Sequence, residues 1–252
     1  MRTDMNAPQI PFHMPAPSGD GGGDASAMLN MLQFADSFFP SGATSFSWGL
    51  ESLKLDGKVA GAEQVFELLS SHVEQRWAGF DRPLMQAARD AWSQRGAAAL
   101  GEAMELDRLC EAMNLARGWR DASRRLGFTQ LRVHADLGLG IAQVYLDQVR
   151  ASGLPGHLPV VQGLLWGAYG LSPAGCDAMV ASGLCTTVVG AALRMGLIGH
   201  TDGQRLIARA RPLIARVIAS PVPSLDELWT GAPALDVAAM RHEPRRARLF
   251  AN

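Results

Sequence analysis

The sequence has few of the residues that build covalent or metal-bound cores, since its 252 residues include only three cysteines, Cys110, Cys176 and Cys185. No two of them are spaced as CxxC, so we predict neither a disulfide framework nor a zinc ribbon. Buried, unreactive thiols in a reducing compartment are the ordinary outcome. The N-terminus lacks a basic start followed by a long apolar stretch, so we expect a soluble cytoplasmic protein.

Charge is also scarce and nearly balanced. Charged residues make up 19% of the chain, and the formal net charge is −1. Such a balance provides no general field to attract nucleic acid or an acidic membrane surface. The strongest local cluster, RHEPRRARLF at residues 241–250, has a charge of +3 (four arginines minus Glu243), which is too small to hold a polyanion. We therefore predict neither nucleic-acid nor membrane binding.

The chain contains no complete catalytic or metal-binding motif. Its six histidines are scattered without ligand spacing, and no phosphate-binding loop surrounds the single Gly-Lys pair at Gly57. Around Ser47 the chain reads SFSWG, which lacks the first glycine of the hydrolase motif GxSxG. A small helical enzyme that uses Ser47, or the pair His200 and Asp202, stays open as an alternative. We predict no cofactor and no resident metal.

Helical periodicity dominates what the sequence does contain. In residues 61–80, apolar side chains recur every three or four positions, which lines one face of a helix. Ser172 followed by Pro173 is typical of a helix start, and Thr201 with Gln204 three residues later has the capping-box pattern. No series of alternating strands is visible. We predict an all-α bundle of roughly eight to ten helices in a single domain.

Residues 151–200 carry only two formal charges, Asp177 and Arg194, and many glycines. A peripheral membrane protein is therefore a further alternative. Prolines and polar residues interrupt the segment, however, and no run of 18 strongly apolar residues remains. Glycines at positions 163, 167 and 170 allow close helix packing in a soluble bundle. Core helices are the preferred interpretation, and part of this apolar surface can serve a homodimer interface.

The chain divides into three segments by composition. Residues 1–27 are rich in Pro and Gly and are predicted to be a disordered leader. Residues 28–240 form the helical domain. Residues 241–252 form a tail with an arginine cluster and a terminal Leu-Phe pair, which we expect to dock on a partner by burying Leu249 and Phe250.

The stretch FFPSGATSFSWGLE, residues 38–51, predicts a corner between two helices. Asp36 and the following Phe-Phe-Pro close the first helix, because Pro40 disfavours helical geometry at Phe39. Gly42 permits a tight reversal. We expect Thr44 or Ser45 to cap the next helix and Glu51 to face outward.

Three separated stretches together resemble a known family. They are LQFADSFFPSGATSFSWGLE (32–51), GLIGHTDGQRLIARARP (196–212) and PALDVAAMRHEPRRARLFAN (233–252). They occur in the order and with the motifs typical of the UreF family of urease accessory proteins, and LPVVQGLLWGAYGL adds weaker support. The resemblance runs from about residue 28 to the end of the chain.

The resemblance implies an all-α, dimeric protein without a catalytic site of its own. It also implies three kinds of partner, namely a UreD/UreH-type accessory protein, a UreG-type GTPase and apo-urease. Proteins of this family join the first and recruit the second during nickel-dependent maturation of urease. The same role is the expectation for this chain.

Site residues follow from the resemblance position by position. Expected partner-binding residues are Thr44, Phe46, Trp48, Glu51, Arg241, His242, Glu243, Arg248, Leu249 and Phe250. Expected structural motif residues are Asp36, Phe39, Pro40, Gly42, Gly49, Thr201, Asp202, Gly203 and Gln204. The sequence departs from the family pattern at Thr44, Phe46, Arg246 and Ala247. Family members usually have an aromatic where Thr44 stands, and Trp48 or Phe46 can supply that apolar area instead.

Overall fold

The computed structural model describes residues 22–242 and 249–250. The α-helices in chain order are α1 (Gly22–Ala35), α2 (Leu50–Leu55), α3 (Ala62–Ser71), α4 (Arg82–Arg95), α5 (Leu100–Met113), α6 (Arg117–Asp136), α7 (Gly140–Ser152), α8 (Leu158–Ala168), α9 (Pro173–Arg194), α10 (His200–Ala219) and α11 (Pro233–His242). A π-helix (His72–Asp81) joins α3 to α4. No strand occurs within these residues, so the all-α prediction is confirmed.

Helix α1 begins inside the segment that was predicted to be a disordered leader. Residues 22–27 are helical, whereas residues 1–21 lie outside the described part of the chain and the prediction for them stays a prediction. Ala27, Met31 and Phe34 recur at helical spacing and pack against a hydrophobic core. Because helix formation propagates once a turn is anchored, α1 extends into the glycines that precede this apolar face.

Two helices form for the reasons that their sequences indicate. In α3, Val65, Leu68 and Leu69 are buried on one face, as the periodicity predicts. At the start of α9, the Ser172 hydroxyl accepts a hydrogen bond from the Gly175 amide at 3.1 Å, and Pro173 occupies the first turn. The predicted helix start at Ser172 is confirmed.

Helix α3, the π-helix and α4 form one continuous rod from Ala62 to Arg95. The residues at both junctions, Ser71 and Arg82, keep right-handed helical dihedral angles. The loop after α10 braces the π-helix, because the Trp229 amide donates to the Gly79 carbonyl at 3.1 Å and the Gly231 amide to the Gln75 carbonyl at 2.8 Å. The wide π-helix is therefore tied to a second part of the chain.

The described residues form two large hydrophobic cores and one small cluster around Phe46. The first core is built mainly from α3, α9 and α10, and the second mainly from α4, α5, α7 and α8. Helix α9 belongs to both, since Cys176 and Met179 lie in the second core while Cys185 and Val188 lie in the first. The half-buried Val180 packs against both cores, so α9 joins them into a single domain.

Helices α4 and α8 pack closely against each other, and a glycine makes this possible. A Cβ atom at Gly163 would lie 2.3 Å from the Met85 carbonyl oxygen, far inside contact distance. Only glycine allows the two backbones this approach. The prediction that Gly163 serves close helix packing is confirmed.

A buried ion pair fastens α9 to the rod. Arg82 donates from Nε to the Asp177 carboxylate at 2.8 Å, and the other guanidinium nitrogens donate to the Ile218 and Ser220 carbonyls at the end of α10. Gln86 donates to the second Asp177 oxygen at 2.6 Å. Asp177, one of the two charges in the apolar segment, is therefore fully engaged inside the protein.

The apolar segment and the cysteines behave as core elements. All three cysteines are free and buried, and burial raises the pKa of Cys176 and Cys185 to about 12. Helix α9 is the one helix in the described residues that is long and apolar enough to cross a membrane. Half of its most apolar 18-residue stretch is buried inside the protein. This burial is what a core helix shows.

Candidate functional site

The corner after α1 has the predicted form. The Asp36 carboxylate accepts the Phe38 amide at 2.6 Å, and the Asp36 carbonyl accepts the Phe39 amide at 3.0 Å. The Phe39 ring packs on the rings of Phe34 and His134, with centroid distances of 5.4 and 5.3 Å. The Phe38 side chain is 93% exposed. The corner thus ends α1 with one aromatic packed inward and one presented to solvent.

Two glycines shape the next eight residues. Gly42 and Gly49 have φ values of +78° and +83°, which L side chains rarely adopt. They precede a short 3-10 turn and α2, respectively, and no side chain caps α2 at its N-cap residue Gly49. The prediction that Thr44 or Ser45 caps α2 is therefore wrong. Instead, the buried Ser47 hydroxyl accepts the Glu51 amide at 3.3 Å.

The two aromatic residues of this segment point into the protein. Phe46 is buried against Ala122 and Leu126. Trp48 has a φ of +55°, which is strained for a bulky residue, and its ring stacks on Trp119 at 5.8 Å. Partner contacts through the Phe46 side chain would require it to leave this packing.

A histidine holds the strained Trp48 backbone. The His72 Nε2 atom lies 2.7 Å from the Trp48 carbonyl oxygen. Burial lowers the pKa of His72 to about 4, so the ring is neutral near pH 7. Because a carbonyl only accepts, Nε2 must carry the ring proton and donate it. This hydrogen bond links the 42–49 segment to the π-helix.

Glu51 faces inward, so the prediction that it faces outward is wrong. Its side chain is 7% exposed, and its two carboxylate oxygens accept the Leu249 amide at 2.7 Å and the Phe250 amide at 3.3 Å. Phe250 is buried in the first core, whereas Leu249 is 66% exposed. Glu51 therefore holds the end of the tail, and the apolar driving force comes from Phe250.

Arg194 connects the docked tail to the 42–49 segment. Its guanidinium donates to the Thr44 carbonyl at 2.7 Å and lies 5.0 Å from the centre of the Phe250 ring. Sequence reasoning missed this residue as a site residue. The available signal was that Arg194 is the only arginine or lysine in the apolar segment 151–200.

The other residues that were predicted to bind a partner through the tail lie at the edge of the described part of the chain or outside it. Arg241, at the end of α11, lies 3.2 Å from the Asp56 carboxylate. His242 is the last residue of α11, but its side chain lies outside the described part. Glu243 and Arg248 also lie outside it, as do Arg246 and Ala247. Their expected roles in partner binding stay predictions.

The Thr-Asp-Gly-Gln motif serves helix packing. Helix α10 begins at His200 with Gly199 as its N-cap and without a side-chain cap, so the predicted capping box of Thr201 and Gln204 is wrong. A Cβ atom at Gly203 would lie 2.9 Å from Val189 of α9. The glycine thus lets α10 approach α9 closely.

The residues proposed for the enzyme alternative do not form a site. Ser47 is fully buried. Asp202 pairs with Arg205 at 3.0 Å on the exposed side of α10, and His200 is exposed beside it. Within the described residues, no three His, Cys, Asp or Glu side chains are grouped so that they could hold a metal ion.

A cavity of about 250 Å³ lies behind the 36–48 segment, between the two cores. The exposed lining residues mark its mouth and are Ala35, Asp36, Ser37, Thr44, Thr186 and Arg194. Its inner wall includes His72, Arg76, Trp77 and Asp81 of the π-helix. Thr44 therefore lies on the surface at the entrance to an interior space.

Comparison with known proteins gives one consistent result. A family model described as UreF matches residues 59–211. Proteins named Urease accessory protein UreF from Trichodesmium erythraeum, Bacillus sp. (strain TB-90) and Geobacillus kaustophilus are 26%, 28% and 29% identical to this chain. The matches cover 91%, 88% and 88% of this chain and 98%, 98% and 97% of those proteins. Since the family model spans more than half of the sequence, this chain belongs to the UreF family.

Proposed function

We propose that this chain is a non-catalytic scaffold in the nickel-dependent maturation of urease, where it joins a UreD/UreH-type accessory protein to a UreG-type GTPase on apo-urease. The names of its relatives support the role of urease accessory protein. We also propose that the protein acts in the cytoplasm as a homodimer. Light scattering on the purified protein tests the dimer, and a mass of one chain at micromolar concentration would contradict it.

The observation that carries the proposal is the docked tail. Helix α11 and residues 249–250 both pack around α2. Together they present three exposed apolar side chains, Val237, Met240 and Leu249, which we call the tail face. Glu51 and Phe250 hold the tail in place so that Leu249 points outward. Exposed apolar groups on segments that pack around the same short helix are typical of a protein-binding site.

We assign the tail face to the UreD/UreH-type partner and the surface around Thr44 to the UreG-type GTPase. The two surfaces lie close together, because Arg194 contacts both the Thr44 carbonyl and the Phe250 ring. A scaffold that brings two proteins together requires such adjacent but separate surfaces.

Two matched pairs of variants test these assignments in pull-down assays. Leu249→Asp places a charge on the tail face without removing the backbone bonds to Glu51, and Leu115→Asp is the control because Leu115 is 76% exposed on a different helix junction. Thr44→Glu tests the GTPase surface, with exposed Thr201→Glu as its control. We expect Leu249→Asp to lose the UreD/UreH-type protein and Thr44→Glu to lose only the GTPase.

Urease activation in cells that co-express the urease genes then tests the function. Leu249→Asp should lower urease activity at least tenfold, whereas Leu115→Asp should leave it unchanged. Full activity of Leu249→Asp, or normal maturation without this protein, would refute the proposal. Turnover of a metabolite by the purified chain alone would favour the enzyme alternative.

A further inference from the structure

The π-helix supplies the polar wall of the central cavity. His72, Arg76, Trp77 and Asp81 all line it. A π-helix has about 4.4 residues per turn, so residues four, five and nine positions apart lie on one face. At the 3.6 residues per turn of an α-helix, Asp81 would instead lie on the side opposite His72. The unusual helix geometry is therefore what brings the Asp81 carboxylate to the cavity.

The Asp81 carboxylate has acceptor capacity that the protein leaves open. Its side chain is 25% exposed, yet burial raises its pKa. Asp81 lines the cavity, so its exposed fraction faces that space. Arg76 is its closest cation, with Nε 3.6 Å from Oδ2, and no hydrogen bond reaches the carboxylate from the described residues. A carboxylate can accept about four hydrogen bonds.

The rest of the wall is largely aromatic and apolar. The lining includes the four tryptophans Trp48, Trp77, Trp119 and Trp166, together with Leu126, Met179 and Leu184. An apolar cavity of about 150 Å³ is large enough for benzene, so the 250 Å³ here can hold a substituted aromatic ring. Flat apolar molecules pack well against indole rings.

The charges in the wall exclude two classes of ligand. The lining carries two acidic and two basic residues, Asp36, Asp81, Arg76 and Arg194, so the cavity has no net charge to attract an ion. The Arg76 Nε atom is buried and lies 3.6 Å from the Asp81 carboxylate, so this cation already faces an anionic group, which disfavours a further anion. A metal ion is disfavoured because no three ligating side chains are grouped in residues 22–242 and 249–250.

We propose that this cavity binds a small neutral molecule that has a flat apolar body and one O–H or N–H donor. The donor group binds the Asp81 carboxylate, and the apolar body packs among the four indole rings. The ligand enters through the mouth beside Thr44. This site is independent of the proposed scaffold function and goes beyond it.

Fluorine NMR of the full chain tests the proposal with 4-fluorophenol and fluorobenzene as probes. The two probes have similar shapes, but only 4-fluorophenol has a donor. We expect saturable binding of both, with 4-fluorophenol about tenfold tighter because its hydroxyl reaches a charged acceptor. Four of the six tryptophans line the cavity, so the intrinsic fluorescence should change over the same concentration range.

Three variants locate the binding. Gly183 lines the cavity and a Cβ atom there would meet no atom within 4 Å, so Gly183→Phe should fill the space and weaken both probes at least tenfold. Gly101→Phe is the matched control, since Gly101 is equally open but lies on α5 away from the cavity. Asp81→Leu should abolish only the preference for 4-fluorophenol.

Three results would each overturn the proposal. The first is no saturable binding of either probe, as expected for a space that holds only water. The second is equal affinity for both probes in the unmodified protein. The third is undiminished affinity in Gly183→Phe. The first two readouts need no variant, so they decide the matter even if Asp81→Leu does not fold.

Discussion

Replacing Glu51 by Gln should release the tail without unfolding the domain. In the native protein, the two Glu51 oxygens accept the amides of Leu249 and Phe250 at 2.7 and 3.3 Å in a buried position. Glutamine keeps one acceptor but turns an NH2 donor toward the second amide. Hydrogen bonds to a charged group contribute about 1.5–3 kcal/mol each. We therefore expect a loss of about 2 kcal/mol in tail docking, which changes the ratio of docked to undocked tail by about thirtyfold.

Hydrogen exchange measures this change directly. The amides of Leu249 and Phe250 should exchange about thirtyfold faster in Glu51→Gln, while the amides of α9 keep their protection. Glu67→Gln is the matched control, because Glu67 is exposed on α3. Unchanged exchange at both tail amides would show that burial of Phe250 alone holds the tail, and the reasoning from Glu51 would then be refuted.

Three further predictions concern the stability of the domain. Gly163→Ala should lower the free energy of unfolding by about 3 kcal/mol in urea titrations, because its Cβ would lie 2.3 Å from a carbonyl oxygen of α4. Burial lowers the pKa of His72 and His134 to about 4, so the unfolded chain binds more protons than the folded protein between pH 6.5 and 4. The contribution of these histidines to the free energy of unfolding should be complete above pH 6.5 and fall by about 3 kcal/mol per histidine toward pH 4. In His134→Gln this fall should be less steep. Asp177→Asn should cost about 3 kcal/mol by calorimetry, because it leaves Arg82 buried without its carboxylate.

Each of these three predictions has a control or a contradicting outcome. Gly101→Ala changes an open, exposed helical glycine and should be neutral or stabilise the protein by up to about 1 kcal/mol. A flat stability profile between pH 6.5 and 4 would mean that the two histidines are already protonated in the folded protein. For the ion pair, the double variant Arg82→Met with Asp177→Leu should recover part of the stability that Asp177→Asn loses. If the double variant is less stable than Asp177→Asn, the hydrogen bonds from Arg82 to the carbonyls at the end of α10 contribute more than the ion pair.

Regular helices could be predicted because local signals and burial agree. The apolar face of α3 appears at the predicted spacing, and α9 starts where Ser172 and Pro173 indicate. The corner after α1 follows from Asp36 and the glycine at position 42. In these places, one short stretch of sequence contains both the propensity and the side chains that satisfy the backbone.

Features that depend on contacts between distant parts of the chain could not be predicted from local sequence. Glu51 faces inward because its partners are amides almost two hundred residues away. Helix α10 begins at His200 and not after Thr201, and the close approach of Gly203 to Val189 of α9 is a contact that the capping pattern of Thr201 does not indicate. The π-helix has no local sequence signature, and its bonds to Trp229 and Gly231 become visible only in the folded chain.

The sharing of α9 between the two cores has a consequence for the cooperativity of unfolding. Cys176 and Met179 of α9 lie in the second core, while Cys185 and Val188 lie in the first. Neither core can therefore lose its packing without exposing part of the same helix. The calorimetric and van't Hoff enthalpies of unfolding should agree, as they do for a single two-state transition.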